Sequence, residues 1–186
     1  MEYFDVLNEK GQHTGQIESR DKCHKKGLWH KAVAAFIINE KGQVLLQKRS
    51  PQKKLWPNTW DISVGGHVLA GEFGFQAIMR EAKEELGIEL NKNQITFLGV
   101  ALSNNKKGDI INNHFNEYYV VNKNLDETKL KLQKEEVSEV KWINKEEIIE
   151  KIKDHYNGIT DKEGCWEYLI KYYERENQFS NRKVID

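Results

Sequence analysis

The segment from Phe73 to Leu86, stopped by Gly87, constrains this chain more than any other, because one secondary structure alone makes sense of its residues. At about 100° per residue, Phe75, Ile78, Met79, Ala82 and Leu86 share one arc, which predicts an amphipathic helix with that side to the core. Glu81, Glu84 and Glu85 fall on a neighbouring arc, related by i, i+3 and i+4, while Gln76, Arg80 and Lys83 take the third side. Like charges at those spacings destabilise a helix, so something cationic has to compensate them. Lysines on a solvated face could do so. Clustered carboxylate oxygens on one rigid element also suit Mg2+ or Mn2+, hard ions that take oxygen ligands and keep several waters. The Gly65-Gly66 pair just upstream lets backbone and phosphate approach closely.

The flanking sequence supplies strands. Ala32–Ile38 and Val44–Gln47 are β-rich runs joined by Asn39-Glu40-Lys41-Gly42-Gln43, a hairpin signature. The same five letters stand at Asn8–Gln12, between Tyr3–Leu7 and a segment reaching Ile17. Their flanks do not repeat, so the pentapeptide marks shared turn chemistry and not a duplicated domain. Asp61–Val64, Ile95–Leu102, Glu117–Asn122 and Val137–Ile143 predict further strands, with Ser50–Thr59 and Ser103–Asn113 as polar loops. Lys145–Asp154 predicts a helix, and Thr160-Asp161-Lys162-Glu163 has capping-box form ahead of an amphipathic stretch to about Glu174. The tail Asn177–Asp186 reads as frayed. The pattern predicts an α/β (α+β) domain, a mixed sheet packed between helices. It spans residues 1–186 as one unit, with 1–28 as an N-terminal hairpin extension.

Lys plus Arg equals Asp plus Glu at 29 each, so net charge gives no reason to expect nucleic acid or an acidic membrane surface as partner. The N-terminus shows no apolar signal core, and the longest apolar run, Ala32–Ile38, is too short to cross a bilayer. These features predict a cytoplasmic protein without a membrane partner. Cys23 and Cys165 lie far apart without CxxC spacing, as expected of two free thiols. Oligomeric state is not written in the sequence, and a homodimer stays open.

Gly66, five residues, Glu72, seven residues and then Arg80-Glu81-Ala82-Lys83-Glu84-Glu85-Leu86-Gly87-Ile88 resembles the Nudix box. Ala82 is its one soft position, smaller than the bulky aliphatic residue that the pattern asks for. The resemblance implies a Nudix-type α/β/α sandwich around a mixed sheet. It implies a hydrolase that takes a small-molecule diphosphate substrate, a nucleoside diphosphate or its derivative, with Mg2+ or Mn2+ as cofactor. It further implies that Arg80 and Glu72 form an orienting pair, and that Glu81, Glu84, Glu85 and the Gly65 carbonyl bind metal. Glu81 is the first choice of general base, Glu117 the next, and Glu135 or Glu136 the outsiders.

Leu28–Ala32, Leu45–Ser50 and Leu55–Gly66 also resemble the branch that contains isopentenyl-diphosphate isomerase. Three positions argue for hydrolysis instead. Gly65 stands where the isomerase carries its catalytic cysteine, in Ser63-Val64-Gly65-Gly66-His67, and the box is intact where the isomerase's is degraded. The isomerase metal site uses histidines; His30 and His67 match two of them, but His24 lies one residue off the spacing, while Glu117 matches its catalytic glutamate. Arg49, His30 and His67 are candidate substrate contacts, each weighed against an ordinary ion pair or hydrogen bond. A non-catalytic binding module is the remaining alternative, disfavoured because simple binding needs no set of mutually repelling carboxylates.

Overall fold

The computed structural model describes residues 1–154, 156, 158–160 and 164–182, with 177–182 as backbone alone. A two-stranded hairpin, β1 (Tyr3–Leu7) with β2 (His13–Ser19), leads through α1 (Arg20–Lys26) into the main sheet. That sheet comprises β3 (His30–Ile38), β4 (Val44–Arg49), β5 (Trp60–Asp61), β6 (Val64–His67), β7 (Ile95–Lys107), β8 (Ile110–Asn122) and β9 (Val137–Ile143). Its order is β5-β4-β3-β8-β7, with β6 also pairing β3 and β9 also pairing β4. β3 runs parallel to β8 and antiparallel to β6, so the sheet is mixed as expected.

Alternation along β3 sorts its side chains between two apolar layers. Val33, Ala35 and Ile37 pack with Ile78, Ala82 and Leu86 of α2 (Gly74–Leu86). Ala34, Phe36 and Ile38 pack on the other face with Trp166 and Leu169 of α4 (Cys165–Arg182), joined by Ile148 of α3 (Lys145–Lys153). Helices therefore cover both faces of the sheet, the sandwich that the pattern predicted. Cys23 and Cys165 are buried free thiols.

Helix α2 is pinned at both ends. The Phe73 amide donates to the Gln76 side chain at 2.9 Å. At the other end Gly87 takes φ 71°, and its amide donates to the Lys83 carbonyl at 3.1 Å, closing the last turn. The repeated pentapeptides build the same turn twice. Asn8 Oδ1 accepts from the amides of Lys10 and Gln12 at 2.9 and 3.0 Å, and Asn39 Oδ1 accepts from Lys41 and Gln43 at 3.0 and 2.9 Å.

Three expectations are corrected. Ser103–Asn113 is not a loop: β7 and β8 continue as a paired hairpin to Lys107 and Ile110, turning at Gly108 and Asp109. Its arms carry polar residues on both sides because they project past the core, so the ladder forms without an apolar stripe to announce it. Arg20–Lys26, too polar to show periodicity, is helical and is closed by Gly27 at φ 65°. Helix α4 continues through Arg182, past the point where the tail was expected to fray, while 183–186 lie outside the described residues. Residues 161–163 of the anticipated capping box also lie outside them, and the Thr160 hydroxyl donates to Asp61 Oδ1 at 2.7 Å.

Candidate active site

The glycine pair of β6 and the C-terminal half of α2 face each other, which brings the box residues together. Arg80 is the hub. Its Nε and Nη2 donate to the two oxygens of Glu72 at 3.1 Å each, a fork-on-fork pair. Nη1 reaches Glu81 Oε1 at 2.8 Å and Glu84 Oε2 at 3.3 Å, and Nη2 also donates to the His67 carbonyl at 2.8 Å. One guanidinium thus fixes three carboxylates and the end of β6.

Glu81 and Glu85 are buried, at 8% and 6% exposure, whereas Glu84 is open to solvent. Burial pushes the Glu81 carboxyl up to about 7, against the opposing pull of Arg80. Burial and the Glu81 charge push Glu85 up to about 8. Glu85 makes no ion pair with a lysine or arginine among the described residues; the Gly65 amide and Gln47 Nε2 each donate to its Oε2 at 3.4 Å. A buried carboxylate held only by such long bonds favours protonation or a bound cation. The donor set, all carboxylate oxygen, fits a hard divalent ion. Gly66 is required here for space, since a Cβ on it would overlap the Glu81 carboxylate.

A cavity of about 1420 Å3 opens over this group, with Gly65, Gly66, Glu81, Glu84 and Glu85 in its wall. Lys53 and Lys54 from the loop after β4, and Lys106 and Lys107 from the tip of β7, also line it. Trp56 lies in the same wall at φ 47°, and Lys107 Nζ sits 5.1 Å from its ring centre. Neither these lysines nor Gln47 were singled out in the sequence, which offered Ser50–Thr59 and Ser103–Asn113 only as polar loops.

The remaining candidates divide. Arg49 lines the cavity, but its Nη1 donates to the buried Asp61 carboxylate at 3.1 Å and its Nε to the Leu55 carbonyl at 3.1 Å. Glu136 lines the cavity and is ion-paired with Lys53. Glu117 is not brought into the box group. Its carboxylate lies beside Gly74 at the other end of α2, paired with Lys31 at 2.9 Å and accepting from the Tyr119 hydroxyl at 2.5 Å. His30 and His67 meet each other, together with His24 and with His114, which the sequence did not single out. His114 became a neighbour only through the β3–β8 register, which pairs it with His30.

With the site described, comparison with known proteins places it. The NUDIX domain family model matches residues 28–162. An uncharacterised Nudix hydrolase of Listeria monocytogenes is 37% identical over 148 residues, covering 80% of this chain and 83% of that one. Nudix hydrolase 3 of Arabidopsis thaliana is 41% identical over 153 residues, but the match spans only 20% of that longer protein. Isopentenyl-diphosphate Delta-isomerase of Escherichia coli is 29% identical over 141 residues, 76% of each chain. Among solved structures, a Deinococcus radiodurans protein superposes with a TM-score of 0.67 at 26% identity, over 90% of this chain and 98% of that one. No helix among the described residues is long and apolar enough to cross a membrane. The chain belongs to the NUDIX domain family, as a hydrolase on the branch that it shares with isopentenyl-diphosphate isomerase.

Proposed function

We propose that this hydrolase cleaves the diphosphate linkage of a nucleoside diphosphate or nucleoside diphosphate derivative and depends on Mg2+ or Mn2+. The observation that carries the reading is the pair of buried carboxylates, Glu81 and Glu85, packed against the glycine pair of β6 in the wall of a cavity that lysines also line. Glu81, Glu84 and Glu85, with the Gly65 carbonyl, would hold the ion. When bound, it would neutralise diphosphate charge and make a water acidic enough to lose its proton.

The chain's own residues do the rest. Arg80 holds Glu81 and Glu84 in place and ties them to Glu72, so the carboxylates cannot swing apart when the substrate enters. Glu81, with a carboxyl near 7, suits a general base that accepts a proton from water at neutral pH. Glu117 is the weaker candidate, because Lys31 and Tyr119 already engage its carboxylate. Lys53, Lys54, Lys106 and Lys107 give the cavity the charge that phosphates need. Trp56 offers a flat face for a base or other planar group, and a cytoplasmic setting suits the two free thiols.

A second reading, isopentenyl-diphosphate isomerisation, draws support from the Escherichia coli relative and from the meeting of His30 with His67. It lacks a cysteine at position 65, and the nearest in sequence, Cys23, is buried beside Phe4 and Val6. One experiment separates the readings. Nucleoside diphosphates, nucleotide sugars, dinucleotides and isopentenyl diphosphate are each incubated with Mg2+ or Mn2+. Released phosphate or nucleoside monophosphate supports hydrolysis, and dimethylallyl diphosphate without phosphate release supports isomerisation.

A further inference from the structure

The loop between β4 and β5 meets the tip of the β7–β8 hairpin at the large cavity, where Trp56 touches Lys107. Trp56 is half-buried and takes φ 47°, in the left-handed region that a bulky side chain rarely enters. Pro57 follows it, and a residue before proline is steered towards extended backbone instead. Asn58 is left-handed as well, at φ 59°. Holding a tryptophan in this way costs about fivefold to a hundredfold in equilibrium. The contact with Lys107, whose Nζ lies 5.1 Å from the ring centre, contributes only about twofold to fivefold, because the lysine is exposed. That contact therefore does not account for the conformation.

Arg49 accounts for it. Its Nε donates to the Leu55 carbonyl at 3.1 Å, its amide donates to the Thr59 carbonyl at 2.9 Å, and its own carbonyl accepts from the Asn58 amide at 3.2 Å. The chain is thus gripped on both sides of Trp56. Arg49 is held in turn by Asp61, which is 1% exposed and whose Oδ2 accepts from Nη1 at 3.1 Å. Asp61 Oδ1 accepts from the Ile62 amide at 2.8 Å and from the Thr160 hydroxyl at 2.7 Å. A buried carboxylate with this many partners makes a rigid anchor, since losing any one leaves a charge underserved.

The cavity beside this ring holds more than a diphosphate. Its volume of about 1420 Å3 exceeds the about 300–1,000 Å3 of ordinary small-molecule sites. Asn105 and Asn112 stand opposite each other in the β7–β8 ladder, and Asn112 Nδ2 donates to Asn105 Oδ1 at 3.1 Å. Both line the cavity, so an amide donor of Asn105 and an amide acceptor of Asn112 are left for the edge of a ring. Lys107 is a loosely held cover on the indole. A planar group can take its place and leave the ammonium beside Lys106, near the phosphates. A tryptophan that only covers apolar surface needs neither a left-handed backbone nor a buried anchor.

We propose that Trp56 is a specificity-determining residue, a stacking platform for a planar ring carried by the substrate. Arg49 and Asp61 are its positioning residues, and Lys107 covers it when no ring is bound. The inference rests on the hydrolytic reading for where the diphosphate lies, and adds what is selected beside it. A ring-bearing diphosphate gains the stack; an alkyl or inorganic diphosphate does not.

The test measures binding to the full-length protein in Mg2+ by calorimetry, so it does not depend on turnover. The probes are the α,β-methylene analogues of ADP, GDP, CDP and UDP, with methylenediphosphonate as the ringless control. Trp56→Leu should weaken the best-bound nucleotide analogue at least about fivefold and change methylenediphosphonate less than about twofold. Trp56→Phe should restore most of the loss. Asp61→Asn should lower the same preference in the natural background and add nothing to Trp56→Leu, a pattern that a merely structural role would not produce. Equal weakening of both kinds of probe, no weakening of either, or a natural protein that binds no nucleotide analogue more tightly than methylenediphosphonate would each overturn the proposal. Mg2+-dependent release from any diphosphate of the panel would leave the hydrolytic reading standing through that failure. The preference of the natural protein needs no variant, so misfolding of a mutant cannot obscure it.

Discussion

At the scale of single residues, Glu81 and Glu85 set stability against function. In the metal-free protein their folded carboxyls sit near 7 and 8, above the ordinary value of 4.5. The native state therefore holds protons that the unfolded chain gives up, and their contribution to stability is complete below about pH 4.5. It is lost as the pH rises through 7 to 8. Glu85→Gln should raise the melting temperature of the metal-free protein at pH 8.5 by several degrees and change it little at pH 4.5, while abolishing turnover; thermal melts in a chelator at the two pH values check this. A melting temperature that moves equally at both would show that burial does not raise the Glu85 carboxyl above its ordinary value. Gly66→Ala should lower kcat by at least about a hundredfold, because its Cβ would displace the Glu81 carboxylate. Its cost in stability, read by urea unfolding, should stay within about 1–3 kcal/mol.

At the scale of elements, the two Asn-Glu-Lys-Gly-Gln turns are a controlled comparison, with identical letters and hydrogen bonds in different settings. The turn at Asn39 joins two strands of the main sheet, and that at Asn8 joins a two-stranded hairpin. Asn39→Ala should cost about 1–2 kcal/mol in urea unfolding, and Asn8→Ala distinctly less. Equal costs would mean that the N-terminal hairpin folds as one unit with the sheet. The turns, and the carboxylate arc of α2, were legible in the sequence because each depends on spacing within a few residues. Of the histidine group, His24, His30 and His67 were weighed together through the resemblance to the isomerase, whereas His114 was not, because it meets them only through sheet register. The β7–β8 tip escaped notice for a related reason: it projects beyond the core, so nothing in its side chains had to alternate.

At the scale of the whole molecule, the N-terminal extension is bound to the loop that leads into the candidate site. The Gly71 amide donates to Asp5 Oδ2 at 2.8 Å and the Ala70 amide to the Tyr3 carbonyl at 2.9 Å, so β1 braces the loop that carries Glu72. Asp5→Ala should therefore lower kcat severalfold with little change in KM, as Glu72 loosens its hold on Arg80; steady-state kinetics decide it, and an unchanged kcat would remove β1 from the account. The arrangement also explains which parts of function the sequence held. The box named the carboxylates and their arginine, whereas the lysine rim and Gln47 come from separate loops and strands that only the fold assembles. The most direct test of the central claim is Mg2+-dependent release of phosphate or nucleoside monophosphate from the diphosphate panel, measured for the natural protein beside Glu84→Gln. Release that vanishes without the metal and falls by about tenfold to a hundredfold or more in the variant is the expected result. Undiminished release by Glu84→Gln, or isomerised product with no release, would contradict it.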